Sequence, residues 1–429
     1  MDKNRRIAYQ TLLDIEEKGA YSNLALNARI ESQQADAPAF IRELVYGVLE
    51  NKIYLDYVMS RYLKNKPEQL KARDRVLLRM GIYQLDFMDA VPAYAALNES
   101  VLLAKKFCKG RDGFINGVLR NHLRADKTGL LPDPKADRIQ YLSVKYSYEP
   151  WIVELWQEEA GAERLEELLQ AGNRKPVLTI RANRLKTSRE LLKQKLEAKG
   201  FQVTDCETVP EALYVKGSSL LNDELYGGGW FSVQDEASMR AAAVLDPQPG
   251  EFILDLCAAP GGKTLFMAER MGDRGRILAG DIYGTKLKRL EEDARRCGIH
   301  IVETRVQDAA VPDPFLFDRA DRVLADVPCS GLGVVRRKPE IKYKKLDKEL
   351  RALPEKQLKI LETASRYVKP GGVLVYSTCT ISPRENGEVC DAFLKENGKF
   401  VQEKRIQLYP GEGENDGFFI CRMRRQQEV

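Results

Sequence analysis

Histidine, paired cysteine motifs and long apolar runs are all scarce in this chain of 429 residues. Only His122 and His300 are present, and no CxxC motif occurs, so a structural zinc site is not expected. No run of 18 apolar residues exists, and we therefore expect no membrane-spanning helix. The first nineteen residues carry many charges and no apolar segment, which argues against a secretory signal.

The eight cysteines are scattered without paired spacing. That distribution is typical of reduced thiols and not of a disulfide framework. We therefore expect a cytoplasmic protein that holds no metal and does not contact a membrane.

The segment LDLCAAPGGKT, Leu254 to Thr264, is similar to a nucleotide-binding loop but lacks both common motifs. A phosphate-binding loop ending in Gly262, Lys263 and Thr264 would need glycine at position 257, where this chain has Cys257. The dinucleotide motif GxGxxG is also absent. The loop therefore predicts a ligand other than a nucleoside triphosphate or a dinucleotide.

Charge is nearly balanced overall but is unevenly placed. Residues 1–130 hold 21 Lys and Arg against 16 Asp and Glu, which accounts for the whole net charge of +5. The segment from Arg336 to Arg351 adds eight basic and three acidic side chains. Both regions could bind a phosphate backbone, and both could equally be solvated helix faces.

The order of apolar patterns predicts three domains. Residues 1–130 show apolar positions at three- and four-residue spacing, which indicates an all-α domain. Residues 131–233 combine further helices with a small α/β unit. In residues 234–429, strand patterns alternate with helix patterns, which predicts an α/β fold with a doubly wound, Rossmann-like parallel sheet and a terminal antiparallel hairpin.

Acidic residues end successive predicted strands of this sheet: Asp281, Asp308 and Asp326. Asp281 follows Gly262 by 19 residues, the usual place for a carboxylate that binds ribose hydroxyls. Acidic groups along this edge favour a nucleoside with a cationic end, and S-adenosylmethionine fits better than NAD. Each aspartate alone could instead cap a helix.

Two cysteines come just after neighbouring predicted strands, Cys329 after VLADVP and Cys379 at the end of VLVYSTC. Either alone would be typical of an inert, buried thiol. Together, at the ligand edge of the sheet, they indicate covalent catalysis. A thiolate that adds to carbon 6 of cytosine makes carbon 5 nucleophilic enough to attack the methyl group of a sulfonium. Lys263 could help to lower the pKa of such a thiol.

The combination of LDLCAAPGGKT, ADVPCSG and VYSTCT resembles the RNA cytosine-5 methyltransferases over residues 235–425. The resemblance implies that Cys379 is the nucleophile, that Cys329 assists product release, and that Asp326 contacts the cytosine ring. It also implies a donor site made of Asp281, Asp308, Asp326 and the loop residues Cys257, Ala258, Ala259, Pro260, Gly261, Gly262 and Lys263.

The helical region is similar to the antitermination factor NusB, in segments such as LVYGVLENK and LLRMGIYQL. A NusB-like domain joined to this catalytic domain resembles the RsmB (Fmu, Sun) family of bacterial 16S rRNA methyltransferases. The resemblance implies a target cytosine in 16S rRNA that is naked or partly assembled into the small subunit. We further expect a monomer whose Arg336, Arg337 and Lys338 contact RNA.

Three alternatives remain. The chain could methylate cytosine in tRNA or in another rRNA. It could be a non-catalytic RNA-binding or antitermination factor, although both cysteines are intact. It could also be an amino-group methyltransferase on the same fold. Such an enzyme would typically have a DPPY- or NPPY-like motif where this chain has ADVPC.

Overall fold

The computed structural model describes residues 1–20, 22–217 and 220–427. They form two compact units. The first comprises Met1–Asn173 together with Lys338–Lys345, and the second comprises Arg174–Arg337 and Leu346–Val429. No helix in the described ranges is both long enough and apolar enough to span a membrane.

The first unit is all helical, as predicted. The described residues of this unit form nine α-helices: α1 (Lys3–Lys18), α2 (Ser22–Ser32), α3 (Pro38–Glu50), α4 (Lys52–Ser60), α5 (Ala72–Phe87), α6 (Ala93–Phe107), α7 (Asp112–Arg124), α8 (Arg138–Tyr146) and α9 (Pro150–Ala171). Helix α5 is the central one, because its residues 76–84 are buried without interruption. A Cβ atom on Gly81 would lie 2.6 Å from Leu119, so this glycine allows close packing of α5 against α7.

A short segment from the second half of the chain, Lys338–Lys345, is part of this helical unit. The Lys342 ammonium is buried and donates hydrogen bonds to the carbonyl oxygens of Glu50 (2.8 Å) and Tyr146 (3.0 Å) and to Oδ1 of Asn173 (2.8 Å). Burial lowers the pKa of Lys342 to about 7. The segment that looked like a solvated basic surface in the sequence is therefore partly an internal element of the helical unit.

The second unit begins with a small antiparallel sheet in the order β2-β3-β1-β4. Its strands are β1 (Leu178–Ala182), β2 (Gln202–Asp205), β3 (Ala212–Lys216) and β4 (Phe231–Val233), and it carries the helices α10 (Arg189–Ala198) and α11 (Glu224–Gly227). This sheet and its helices confirm the predicted small α/β unit. Strand β4 has only three residues, which are too few to show alternation in the sequence.

The larger sheet has seven strands in the order β10-β11-β9-β8-β5-β6-β7. They are β5 (Phe252–Asp255), β6 (Arg276–Asp281), β7 (Val302–Val306), β8 (Ala320–Asp326), β9 (Val368–Thr378), β10 (Phe400–Leu408) and β11 (Phe418–Arg425). Strands β5 to β9 are parallel, and β11 and β10 complete one edge as an antiparallel hairpin. This confirms the predicted doubly wound sheet and its terminal hairpin.

Helices cover both faces of the larger sheet. They are α12 (Glu236–Leu245), α13 (Gly262–Arg270), α14 (Gly284–Cys297), α15 (Lys348–Arg351), α16 (Leu353–Tyr367) and α17 (Gly387–Glu396). One apolar core lies between the sheet and α12, α13 and α14, and the other lies against α16 and α17. The helical segment between β8 and β9 is divided into α15 and α16.

The two compact units divide the chain between Asn173 and Arg174, inside the segment predicted as residues 131–233. Helix α8 joins the first unit because α4 packs against it, with the Tyr54 amide donating to the Ser147 hydroxyl at 3.0 Å. The small sheet joins the second unit through Arg181 on β1, which is bidentate to Glu269 on α13 at 3.0 and 2.7 Å. Both side chains of this ion pair are fully buried.

Removing one partner of this buried pair should destabilise the second unit strongly. We expect Arg181→Met to lower the free energy of unfolding by about 3–5 kcal/mol, because Glu269 would keep a buried, unpaired charge. The measurement is denaturant unfolding of the full chain. Arg184→Met is the control: Arg184 is mostly exposed in its pair with Glu211, and its loss should cost less than about 1 kcal/mol. Equal effects of the two substitutions would contradict the prediction.

Candidate active site

The candidate site lies where the carboxyl ends of β5, β8 and β9 meet. After β5 the chain passes outward through β6 and β7 and then returns to β8 on the other side of β5. Such a reversal of strand order leaves a crevice at the carboxyl edge, where doubly wound sheets bind their ligands. Every predicted donor-site and catalytic residue lies at this edge, on the strand ends or in the loops that follow them.

The loop after β5 is tied to both neighbouring strands. The Leu256 amide donates to the Leu324 carbonyl at 3.0 Å, and the Ala258 amide donates to the Gly280 carbonyl at 2.9 Å. Gly261 has a φ of +110°, and a Cβ atom there would lie 2.6 Å from Leu290. Glycine at this position therefore lets the loop turn closely over α14 before α13 begins.

Asp281, at the end of β6, is held by two backbone donors. Its Oδ2 accepts from the Ala259 amide at 3.2 Å and its Oδ1 from the Tyr283 amide at 2.9 Å. Each carboxylate oxygen retains a further lone pair for a ligand hydroxyl. Asp308, after β7, is oriented by the Ala310 amide at 2.9 Å.

A pocket opens between these loops. Its lining includes Cys257, Ala259, Asp281, Ile282, Tyr283, Asp308, Asp326 and Pro328. Carboxylates at three strand ends, together with apolar walls, suit a ligand with a ribose, a flat base and a positive charge. The residues present therefore fit S-adenosylmethionine.

Asp326, at the end of β8, connects the donor loop with the next strand. Its Oδ2 accepts from the Lys263 ammonium at 2.7 Å, and its Oδ1 accepts from the Ser377 hydroxyl at 2.7 Å. Ser377 is directly opposite Asp326 in the pairing of β8 with β9. The carboxylate is thus fixed between the pocket and the cysteine that follows β9.

The two predicted cysteines are in contact, with the Sγ atoms of Cys329 and Cys379 3.2 Å apart. The pKa of the Cys329 thiol is raised well above its usual value by its hydrogen bond with Cys379 and by its low-dielectric surroundings. Cys329 therefore stays protonated and can donate its S–H to the sulfur of Cys379.

Lys263 supplies the positive charge near this pair. Burial acts to lower the pKa of its ammonium, but Asp326 and the nearby sulfur of Cys379 outweigh that effect and raise it. The same attraction favours the thiolate of Cys379. The sequence-based expectation that Lys263 could assist a cysteine is consistent with this geometry.

Asp255 is a site residue that the sequence analysis missed. It is buried at the end of β5, where its Oδ2 accepts from the Thr264 hydroxyl at 2.7 Å. Its Oδ1 has no hydrogen-bond partner among the described residues. Burial, opposed by the Thr264 bond and aided by Asp326 and Asp281, raises the pKa of Asp255 to about 7. Its place in the motif LDLC, directly before the loop, was the available signal.

Arg336 and Arg337, which the sequence analysis expected to contact RNA, are held in ion pairs within the protein. Arg336 is buried and pairs with Asp416 and the Glu414 carbonyl. Arg337 pairs with Asp416 and, at 2.6 Å, with Asp235. Carboxylates distant in sequence already neutralise both charges, and the sequence alone could not show this.

Lys338, the third residue of that expectation, is exposed and belongs to the other compact unit.

The two histidines lie away from the site. His122 is buried and bonded to Asp86 at 2.9 Å, and His300 is exposed and bonded to Asp273 at 2.8 Å. Within the described ranges, no cluster of three or more acidic, cysteine or histidine side chains is arranged to hold a metal.

Comparison with protein-family models finds three matches along the chain. Residues 242–424 match the 16S rRNA methyltransferase RsmB/F family. Residues 2–124 match the NusB family, and residues 148–220 match the ferredoxin-like domain of RsmF/B-like methyltransferases.

Relatives and solved structures agree with these matches. A probable ribosomal RNA small subunit methyltransferase B from Bacillus subtilis is 36% identical, with 98% of each chain covered. The ribosomal RNA small subunit methyltransferase B of Vibrio cholerae is 34% identical, with 98% of this chain and 97% of the relative covered. The crystal structure of a protein designated PH0851 is 27% identical and superposes with a TM-score of 0.84 over 97% of this chain and 98% of its own.

These comparisons confirm the predicted fold and the predicted class of enzyme. The chain is a methyltransferase with an N-terminal NusB domain, a ferredoxin-like segment and a C-terminal catalytic domain. Its methyl donor is S-adenosylmethionine, as expected from the loop and its carboxylates. Because the likeness to curated relatives extends over nearly its whole length, the chain belongs to the ribosomal RNA small subunit methyltransferase B family.

Proposed function

We propose that this protein methylates carbon 5 of one cytosine in 16S rRNA through a covalent bond between Cys379 and carbon 6 of the base. The observation that carries the proposal is the contact of the two sulfur atoms at 3.2 Å, directly after the strands whose ends hold Asp326 and Ser377. A thiol pair at the carboxyl edge of the sheet, beside the donor pocket, has the composition that covalent activation of a pyrimidine needs.

S-adenosylmethionine supplies an electrophilic methyl group when bound. In the proposal, Asp281 accepts hydrogen bonds from the ribose hydroxyls, and the loop from Cys257 to Lys263 approaches the ligand closely. Asp308 and Asp326 complete the acidic edge that favours a cationic ligand. The apolar side of the pocket, which includes Ile282 and Tyr283, offers a surface for the flat base of the donor.

The chemistry begins at Cys379. Its thiolate adds to carbon 6 of the cytosine, and the electron pair displaced from the ring double bond makes carbon 5 nucleophilic. Carbon 5 then takes the methyl group. Lys263 favours formation of the thiolate that begins the reaction. Asp326, which is held by Lys263 and Ser377, orients the cytosine ring between the sulfur and the methyl donor.

Product release needs a base, which solvent water can supply, to take the carbon-5 proton, and it needs the bond between carbon 6 and sulfur to break. The electrons of the C–H bond re-form the ring double bond, and the sulfur of Cys379 departs as a thiolate. Cys329 assists because its protonated thiol, 3.2 Å from the departing sulfur, donates a hydrogen bond that stabilises the new charge. The raised pKa of Cys329 keeps that proton in place.

A paired or stacked cytosine cannot reach Cys379 inside a helix of RNA. The base must therefore swing out of its stack, which favours a substrate that is naked or only partly assembled. The NusB domain and the exposed Lys338 are the regions that we assign to RNA contacts, and we expect the protein to act as a monomer. Mapping 5-methylcytosine in RNA from cells with and without this gene distinguishes a target in 16S rRNA from a target in tRNA or another rRNA.

Asp281 should contribute measurably to donor affinity. We expect Asp281→Ala to weaken S-adenosylmethionine binding by roughly 1.5–3 kcal/mol, because the ribose loses a charged hydrogen-bond acceptor. Isothermal titration calorimetry measures this directly. Glu292→Ala, an exposed change on α14, is the control and should leave affinity unchanged. An Asp281→Ala variant with native affinity would rule out this role.

The two cysteines should behave differently when replaced. Cys379→Ala should abolish turnover and form no covalent RNA adduct, because the protonated thiol of Cys329 does not replace the missing nucleophile. Cys329→Ala should still let Cys379 attack and accept the methyl group, and the methylated RNA should then remain attached. The adduct appears as a slowly migrating band on a denaturing gel.

Two results would contradict this assignment. Adduct in Cys379→Ala with none in Cys329→Ala would reverse the roles of the cysteines. Loss of a packing thiol alone would give no adduct in either variant and would only destabilise the fold, by about 1 kcal/mol. The buried Cys297→Ala is the matched control for that packing effect, since its sulfur lies away from the pocket and bonds Ser232 at 3.6 Å.

A further inference from the structure

The backbone on both sides of Cys329 is held by two buried side chains that the mechanism above does not use. The Gln357 side-chain amide, on α16, donates from Nε2 to the carbonyl oxygen of Pro328 at 2.9 Å. The carboxylate of Glu385 accepts from the amide of Ser330 at 2.8 Å. Pro328 and Ser330 are the immediate neighbours of Cys329 in the chain.

These two side chains also bind each other. Nε2 of Gln357 lies 3.1 Å from Oε2 of Glu385, which is the same oxygen that accepts from Ser330. Gln357 is fully buried, and Glu385 is only 5% exposed. One closed set of hydrogen bonds therefore reaches from the residue before Cys329 to the residue after it.

Glu385 is itself fixed from the Cys379 side of the site. It ends a short helical turn, Pro383–Glu385, that follows Cys379 by a few residues, and its carbonyl accepts from the Tyr376 hydroxyl of β9 at 2.6 Å. A second link joins the two cysteine loops, since the hydroxyls of Ser330 and Thr380 are 2.9 Å apart. The position of Cys329 relative to Cys379 is thus set by groups that belong to the Cys379 loop.

We propose that Glu385 and Gln357 are positioning residues for product release, holding Cys329 where its thiol can donate to the departing sulfur of Cys379. The proposal rests on the proposed function, because it gives Cys329 that role. Positioning Cys329 in this way needs two features besides a folded chain. One is a set of donors and acceptors aimed at the backbone around Cys329, and the other is an anchor on the Cys379 side. Both are present in this set of hydrogen bonds.

A strained or loosened Cys329 loop should slow product release more than methyl transfer. The reason is that Cys379 makes the attack and is fixed separately at the end of β9. We expect Glu385→Ala to slow release of methylated RNA by roughly ten- to a hundredfold, since a displacement of about 1 Å at a reacting group can cost that much. Covalent adduct should accumulate, while affinity for S-adenosylmethionine stays native.

Glu385→Gln is the conservative variant. Both hydrogen bonds of the carboxylate use Oε2 alone, so the single oxygen of a glutamine amide can accept both of them. This variant should therefore restore release toward the native rate. Glu388→Ala, an exposed change three residues further on, is the matched control and should release RNA at the native rate.

The experiment is a single-turnover reaction of the full chain with its RNA, followed by denaturing gels over time, calorimetry with S-adenosylmethionine, and thermal unfolding of each variant. The proposal would be overturned if Glu385→Ala released methylated RNA at the native rate. It would also be overturned if Glu385→Gln released RNA as slowly as Glu385→Ala. If Glu385→Ala does not fold, Gln357→Ala tests the same point through the Pro328 bond, and native release by that variant overturns the proposal equally. Failure of the covalent mechanism itself would look different: no adduct would form in Cys329→Ala.

Discussion

The parallel pairing of β8 with β9 is the constraint on which the site depends. It places Asp326 opposite Ser377, and their side chains are hydrogen bonded. The chain leaves both strands at the same edge, so Cys329 and Cys379 arrive within 3.2 Å of each other although 50 residues separate them. A parallel pair must be joined by a crossover, which here includes α16 on one face of the sheet, and Gln357 on this helix reaches the Cys329 loop.

Charge in the site is balanced locally. Lys263 follows the donor loop, its ammonium donates to Asp326 at 2.7 Å, and the negative charge of Asp326 and the nearby sulfur of Cys379 raise its pKa. In the proposed mechanism this one cation stabilises both the carboxylate that orients the base and the thiolate that attacks it. The pKa of Asp255 is raised to about 7, so this carboxyl group is partly protonated at neutral pH. The partial protonation reduces the electrostatic cost of placing a third negative charge in the buried site.

The region after Cys329 shows how one basic segment can serve two purposes. Arg336 and Arg337 pair with Asp416 and Asp235, which closes the loop onto the C-terminal hairpin and onto α12. A few residues later, Lys342 is the buried centre of hydrogen bonds inside the helical unit. Among the eight basic side chains of this segment, Arg336, Arg337 and Lys342 are at least partly buried and the other five are exposed. The buried charges are tolerated because partners neutralise or bond them.

The sequence by itself determined the elements and their order: the helical first region, the parallel sheet with its terminal hairpin, the donor loop, and the acidic and cysteine residues at the strand ends. Those features are local, because periodicity, glycine spacing and strand-end position can all be read within a few tens of residues. It could not determine which distant groups meet. The pairing of Arg336 with Asp416, the position of Lys338–Lys345 in the helical unit, and the bonds from Gln357 and Glu385 to the Cys329 loop join residues remote in the chain. Only tertiary packing decides such contacts, because it alone sets which buried polar groups must satisfy each other.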